Sequence, residues 1–204
     1  MKQPDYFEGR IIYESLSEDE HGKLVPSKYI GKQEYFYKDT FYKFILHDRE
    51  GRDGRNLTEI IVNTADSSRF SVHHRERTKT SLGMEAASEA YLPLEVNFIH
   101  AEDTLLGYPC KKYEMLQLDF YTQTKLRSYL WVAEDLAVKN LPLLGKIFGY
   151  RNTLIKDGSL EGIILKYQSE ATASTKGLVI QATQIDPVEL DFSEFAIPAM
   201  YFPK

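Results

Sequence analysis

The chain has one cysteine and one tryptophan, and it holds no apolar run near the length of a membrane-spanning helix. Cys110 alone cannot form an intrachain disulfide, so a disulfide framework is excluded. The compartment stays open, because many exported proteins lack disulfides. A spanning helix needs roughly 20 consecutive apolar residues, and no stretch approaches that. Positive charge is also short: the formal net charge is −5, which argues against a nucleic-acid binder relying on a basic stripe. The acidic balance is a solubility feature, compatible with burying a lipid tail elsewhere. Gly-x-Ser-x-Gly, Walker-type and dinucleotide fingerprints are missing. So is a signal-peptide pattern, since Met1-Lys2-Gln3-Pro4 leads almost directly into a strand. That fits a cytoplasmic protein or one whose export signal has been removed.

What the chain does have is aromatic surface, with 14 Tyr and 11 Phe in 204 residues. Such side chains suit pleated, half-buried strands. The length fits one β domain, since sandwiches and barrels run to roughly 200–250 residues as single units. Apolar residues recur with a period close to two. Phe7, Gly9, Ile11 and Tyr13 share one face, and Glu8 and Arg10 take the other. Glu34–Leu46 reads as a hairpin turning at Lys38-Asp39. Thr58–Val62, Arg69–His73, Leu94–Phe98, Cys110–Leu118, Lys125–Val132, Leu160–Tyr167 and Leu178–Ile185 read as further strands.

Two segments depart from this rhythm. Ser81–Leu92 has helix-forming residues and stops at Pro93. Ala133–Tyr150 reads as a short helix followed by an apolar loop broken by Pro142 and Gly145. The expectation is a mostly β chain: about ten turn-linked antiparallel strands in one domain over 1–204, curled into an unclosed half barrel. One or two short helices cover the open side.

Several short motifs then fall in a suggestive order. They are Gly9-Arg10-Ile11-Ile12-Tyr13, Tyr35-Phe36-Tyr37-Lys38-Asp39 and Leu106-Gly107-Tyr108-Pro109-Cys110-Lys111-Lys112-Tyr113. Leu130-Trp131-Val132, Gly158–Gly162 and Phe195-Ala196-Ile197-Pro198 follow. In this order the chain resembles exported envelope proteins of Bacteroidetes, which are themselves similar to the lipoprotein carriers LolA and LolB. The resemblance implies an unclosed antiparallel barrel with helices plugging its open side. It also implies a location in the periplasm or on the periplasmic face of the outer membrane, and reversible shelter of an acyl chain or other apolar ligand. No cofactor and no catalytic residue is expected.

The residues themselves offer a candidate cavity lining in Tyr35, Tyr37, Tyr42, Phe44, Tyr129 and Trp131. Lipid pockets are mostly apolar with a few polar groups, and tyrosine supplies both. The same side chains would equally fill a closed core. Leu141, Leu144, Ile147 and Phe148 form a candidate lid, or a loop capping the core. His73-His74 is no metal pair, because neighbours on a strand face opposite ways. Cys110 reads as a buried small hydrophobe, with Lys111 pointing away from it. Asp48–Arg55 lacks the ligand order of a calcium loop.

The leading expectation is therefore a non-enzymatic carrier whose partner is a hydrophobic small molecule or acyl chain, with an envelope protein as a further possible partner. A filled interaction module is the alternative. Third comes a hydrolase or isomerase, which would need a histidine and a carboxylate within hydrogen-bond reach.

Overall fold

A computed structural model of the protein describes residues 6–27, 31–47, 57–83, 91–119, 123–139, 162–171 and 177–203. The strands are β1 (Gly9–Glu18), β2 (Leu24–Pro26), β3 (Gln33–Lys38), β4 (Phe41–His47), β5 (Leu57–Asn63), β6 (Ser68–His73) and β7 (Thr78–Ser81). They continue with β8 (Tyr91–Leu105), β9 (Tyr108–Asp119), β10 (Lys125–Ala133), β11 (Ile163–Ser169), β12 (Leu178–Pro187) and β13 (Phe202–Pro203). All 13 belong to one sheet in the order β13-β7-β6-β5-β4-β3-β1-β12-β11-β10-β9-β8, with β2 beside β1. The pairings are antiparallel except β13 with β7. β8 and β13 lie at opposite ends of the order, so the sheet is unclosed.

The expected β class and single open sheet are what the structure shows, with more strands than the periodicity implied. β2, β7 and β13 are too short to display alternation. Among the described residues there is no α-helix, only a 3₁₀ turn at Phe192–Phe195. The expected helix over Ser81–Leu92 is not what its ends adopt. Ser81 closes β7, and Tyr91 and Leu92 open β8; residues 84–90 lie outside the described set. Pro93 terminates nothing. It sits in an edge strand at a register shift, where a missing N–H costs no ladder bond. In the second expected helix, Ala133 ends β10 and residues 134–139 form turns and irregular chain. Residues 140–161 are outside the described set.

Local chemistry explains the turns. Asp39 takes φ +48° between β3 and β4, a conformation aspartate tolerates better than branched residues. Leu106 and Gly107 both have positive φ, the backbone of a two-residue hairpin whose twist matches its strands. Gly9 is required sterically: at φ +147°, a Cβ would stand 2.1 Å from the Asp186 carbonyl oxygen.

Cross-strand register assigns the faces. Tyr13 stands opposite Gln33, and Tyr35 and Tyr37 stand opposite Phe44 and Tyr42. On the other side, Ser15 pairs with Ile180, Ile180 with Tyr167, and Tyr167 with Leu130. One face therefore carries Ile11, Tyr13, Tyr35, Tyr37, Tyr42, Phe44, Tyr167, Leu130, Ser128 and Met115. Across this face the chain leaving β10 returns towards β1 and β4. The Phe7 amide donates to the Ala137 carbonyl at 2.7 Å, and the Tyr42 hydroxyl meets the carbonyls of Asp39 and Lys139. Leu136 and Val138 are buried in the same core as Tyr37 and Tyr42. The sheet is thus curled towards the tyrosine side, which is its inner face.

The reverse face of β3–β6 is dry as well. The C-terminal tail lays Phe195 against Phe36, Ile61 and Val72, with Leu190, Ile197 and Tyr201 around them. Lys43 bonds Glu194 at 3.0 Å with its ammonium over the Phe36 ring.

Candidate functional site

The hairpin β3–β4 builds the first wall of the inner face. Tyr35 and Phe44 are direct cross-strand partners with ring centroids 4.8 Å apart, and Tyr37 and Tyr42 meet edge to face at 5.8 Å. Tyr13 closes on Tyr35 at 5.3 Å, and Phe7 on Tyr37 at 5.8 Å. These separations are those at which aromatic pairs attract. The hydroxyls are placed as carefully as the rings. Tyr35 donates to Gln33 Oε1 at 3.3 Å, and Gln33 Nε2 donates to Ser15 Oγ at 3.2 Å. Tyr13 donates to the Ile164 carbonyl at 3.1 Å. Burial, reinforced by the surrounding phenols, pushes the Tyr37 pKa far above its ordinary value. Tyr42 is raised as well, first by burial and then by Asp39. The wall is neutral, aromatic and dotted with hydroxyls.

The second wall comes from β9–β11. Met115, Leu130 and Val132 are fully buried together with Tyr167. The Ser128 and Tyr167 hydroxyls pair at 3.1 Å. Gln117, opposite Leu126, shares this face and is 1% exposed, and its side-chain Nε2 has no hydrogen-bond partner.

Of the expected lining, Tyr35, Tyr37, Tyr42 and Phe44 come together on the inner face. Tyr129 and Trp131 take the opposite phase of β10 to Leu130, yet Trp131 belongs to the same buried core as Tyr37 and Tyr42, with Tyr129 packed against it. The ladder pairs Trp131 with Lys112 and Lys166, whose ammonium groups stand 4.8 and 4.3 Å from its ring on the reverse face. Trp131 is still contiguous with the main core, and past the register shift at Trp131/Val132 both Ala133 and Ile163 join that core. Tyr129 lies under Lys112 and donates to Glu170 at 3.0 Å. The lid residues Leu141, Leu144, Ile147 and Phe148 lie outside the described residues. Tyr13 and Gln117 were not singled out from sequence. Tyr13 was visible through its alternation with Ile11. Gln117 was hidden because Leu116 and Leu118 make either phase of its strand look apolar.

Among the described residues histidine meets carboxylate in three places, one of them the exposed pair His21–Glu20 at 3.6 Å. His74 Nε2 contacts Glu59, while its Nδ1 contacts the Tyr201 hydroxyl at 2.9 Å. With both ring nitrogens engaged, His74 ties the C-terminal tail to β5 and offers no nitrogen to a substrate. His47 approaches Glu34 at 2.8 Å beside Lys32 and Arg10, as part of a charge cluster. Cys110 is 1% exposed, and burial raises its thiol pKa, the opposite of an activated nucleophile. Lys111 turns instead to Glu134 at 2.6 Å. Among the described residues, no helix is long and apolar enough to cross a membrane.

No family model matches the chain, and no curated protein does. Among solved structures it is similar to an outer membrane lipoprotein-sorting protein domain from Vibrio parahaemolyticus. The identity is 10% and the TM-score 0.30, over 94% of this chain and 91% of that one. A superposition that loose has no bearing on fold or role.

Proposed function

We propose that the protein is a non-enzymatic carrier or sensor that shelters a hydrophobic ligand, an acyl chain or comparable apolar molecule, against the inner face of its curled sheet. One observation carries this reading. The face that the register traces through both walls combines aromatic rings, hydroxyls and a buried amide lacking a partner, a mixture suited to an apolar molecule with a few polar atoms. Each methylene sheltered there contributes about 0.8 kcal/mol, so a groove of modest length binds a long chain. Release follows from re-exposure, with no covalent step. An address in the cell envelope belongs to the proposal and is supported by the sequence resemblance alone.

Native mass spectrometry after incubation with mixed envelope lipids tests it. The expected result is a lipid-sized adduct on the wild-type protein, lost in Phe44→Glu. A bare mass under gentle conditions, or an adduct retained by a folded Phe44→Glu variant, would overturn it.

A second reading, an interaction module, draws on β8. This terminal strand offers an open edge, and Leu94 and Phe98 on it are 48% and 41% exposed. Such an edge is a template for another strand. Retention of a partner protein with no lipid adduct would favour that reading.

A further inference from the structure

Gln117 buries its whole side chain together with an amide nitrogen that makes no hydrogen bond. Its side chain is 1% exposed, lies opposite Leu126, and stands beside Met115 on a face continued by Leu130. The nearby hydroxyls of Ser128 and Tyr167 already bond each other. Its Nε2 nevertheless has no acceptor. An enclosed donor without a partner is a substantial penalty, and leucine or methionine would fill the position without it. A residue that weakens the fold where an apolar one would serve is expected at a functional site.

We infer that Gln117 is the polar anchor of the bound ligand, its amide donating to a neutral carbonyl oxygen of an acyl ester or acyl amide. This rests on the hydrophobic-ligand reading above and specifies the ligand's chemistry. Nε2 only donates, so the ligand group must accept. Neutrality follows from where the charges are. Among the described residues, the buried charged groups are Glu34, Lys38 and Lys43, all on the reverse face by register. A carboxylate beside Gln117 would meet no buried cation among the described residues of this face, whereas an ester carbonyl needs none.

The test is competition against an environment-sensitive fluorescent acyl ester, using a long-chain methyl ester and the n-alkane of equal length as competitors. Wild type is expected to prefer the ester by roughly five- to tenfold, the weight of one buried hydrogen bond. Gln117→Leu is expected to lose that preference while binding the alkane at least as well, with an unchanged or higher Tm. Gln117→Met serves as the second variant should the leucine fail to fold. A preference that survives in these variants, or a wild type binding both competitors equally, overturns the anchor and leaves the carrier reading standing. A wild type that takes up neither probe nor competitors overturns both.

Discussion

The two flanks of the sheet bury their reverse faces by different means. Behind β3–β6, the C-terminal tail forms a second apolar layer, with Phe195 enclosed by Phe36, Ile61 and Val72. Behind β9–β11, the described cover over Trp131 is two lysine stems, Lys112 and Lys166, with Tyr129 alongside. Both devices dry large aromatic rings, and Trp131 is only 6% exposed. The lesson concerns the inner face. The Phe195 layer is a cluster of its own and can be altered without touching the tyrosine wall, whereas Trp131 also belongs to the core that holds Tyr37 and Tyr42.

Trp131→Ala is expected to have the largest effect, about 3–5 kcal/mol of lost stability by chemical denaturation, as for other buried large-to-small changes. The folded fraction should keep its ester-over-alkane preference; loss of the preference would place Trp131 in the ligand site. Phe195→Ala should cost about 3 kcal/mol and loosen the tail. Hydrogen exchange would show this as faster exchange in β7 and residues 190–203, with β9–β11 unchanged. Protection lost evenly across both flanks would contradict the separateness of the Phe195 layer.

Glu34→Gln is expected to act more weakly and in a pH-dependent way. Burial pushes this carboxyl's pKa up, but a Lys32 hydrogen bond and the charges of Lys32, His47 and Arg10 outweigh it, so the net shift is downward. With the folded pKa depressed, the unfolded chain takes up the proton first. The stabilisation is whole above the ordinary glutamate value, about 4.3, and is lost as pH falls through the folded value. The Tm gap between wild type and variant should therefore be widest near neutrality and shrink in acid. A gap independent of pH would assign the loss to packing. Lys112→Ala should have the smallest effect, about 0.5–1 kcal/mol, because Lys166 still covers the ring.

How much of this was legible depended on whether one phase of a strand was polar. The β3–β4 hairpin could be read directly, since Glu34, Lys38 and Lys43 mark one face and the tyrosines the other, with Asp39 at the turn. In β10 the strand was legible but its phase was not. Leu126, Leu130 and Val132 compete with Tyr129 and Trp131, and periodicity cannot choose between two apolar faces. Only pairing with Tyr167 and Lys166 decides it. The tail's role was invisible because Phe195 meets partners more than a hundred residues away, and Pro93 misled because edge position is a tertiary property.

The most direct test of an inner-face ligand site is photo-crosslinking with a diazirine-bearing acyl ester, followed by peptide mapping. Adducts are predicted on β3, β4, β9 and β10, at inner-face residues such as Tyr35, Phe44, Met115 and Leu130. Adducts concentrated on Trp131, Phe36 or the β8 edge, or none above the level of a denatured control, would contradict the account.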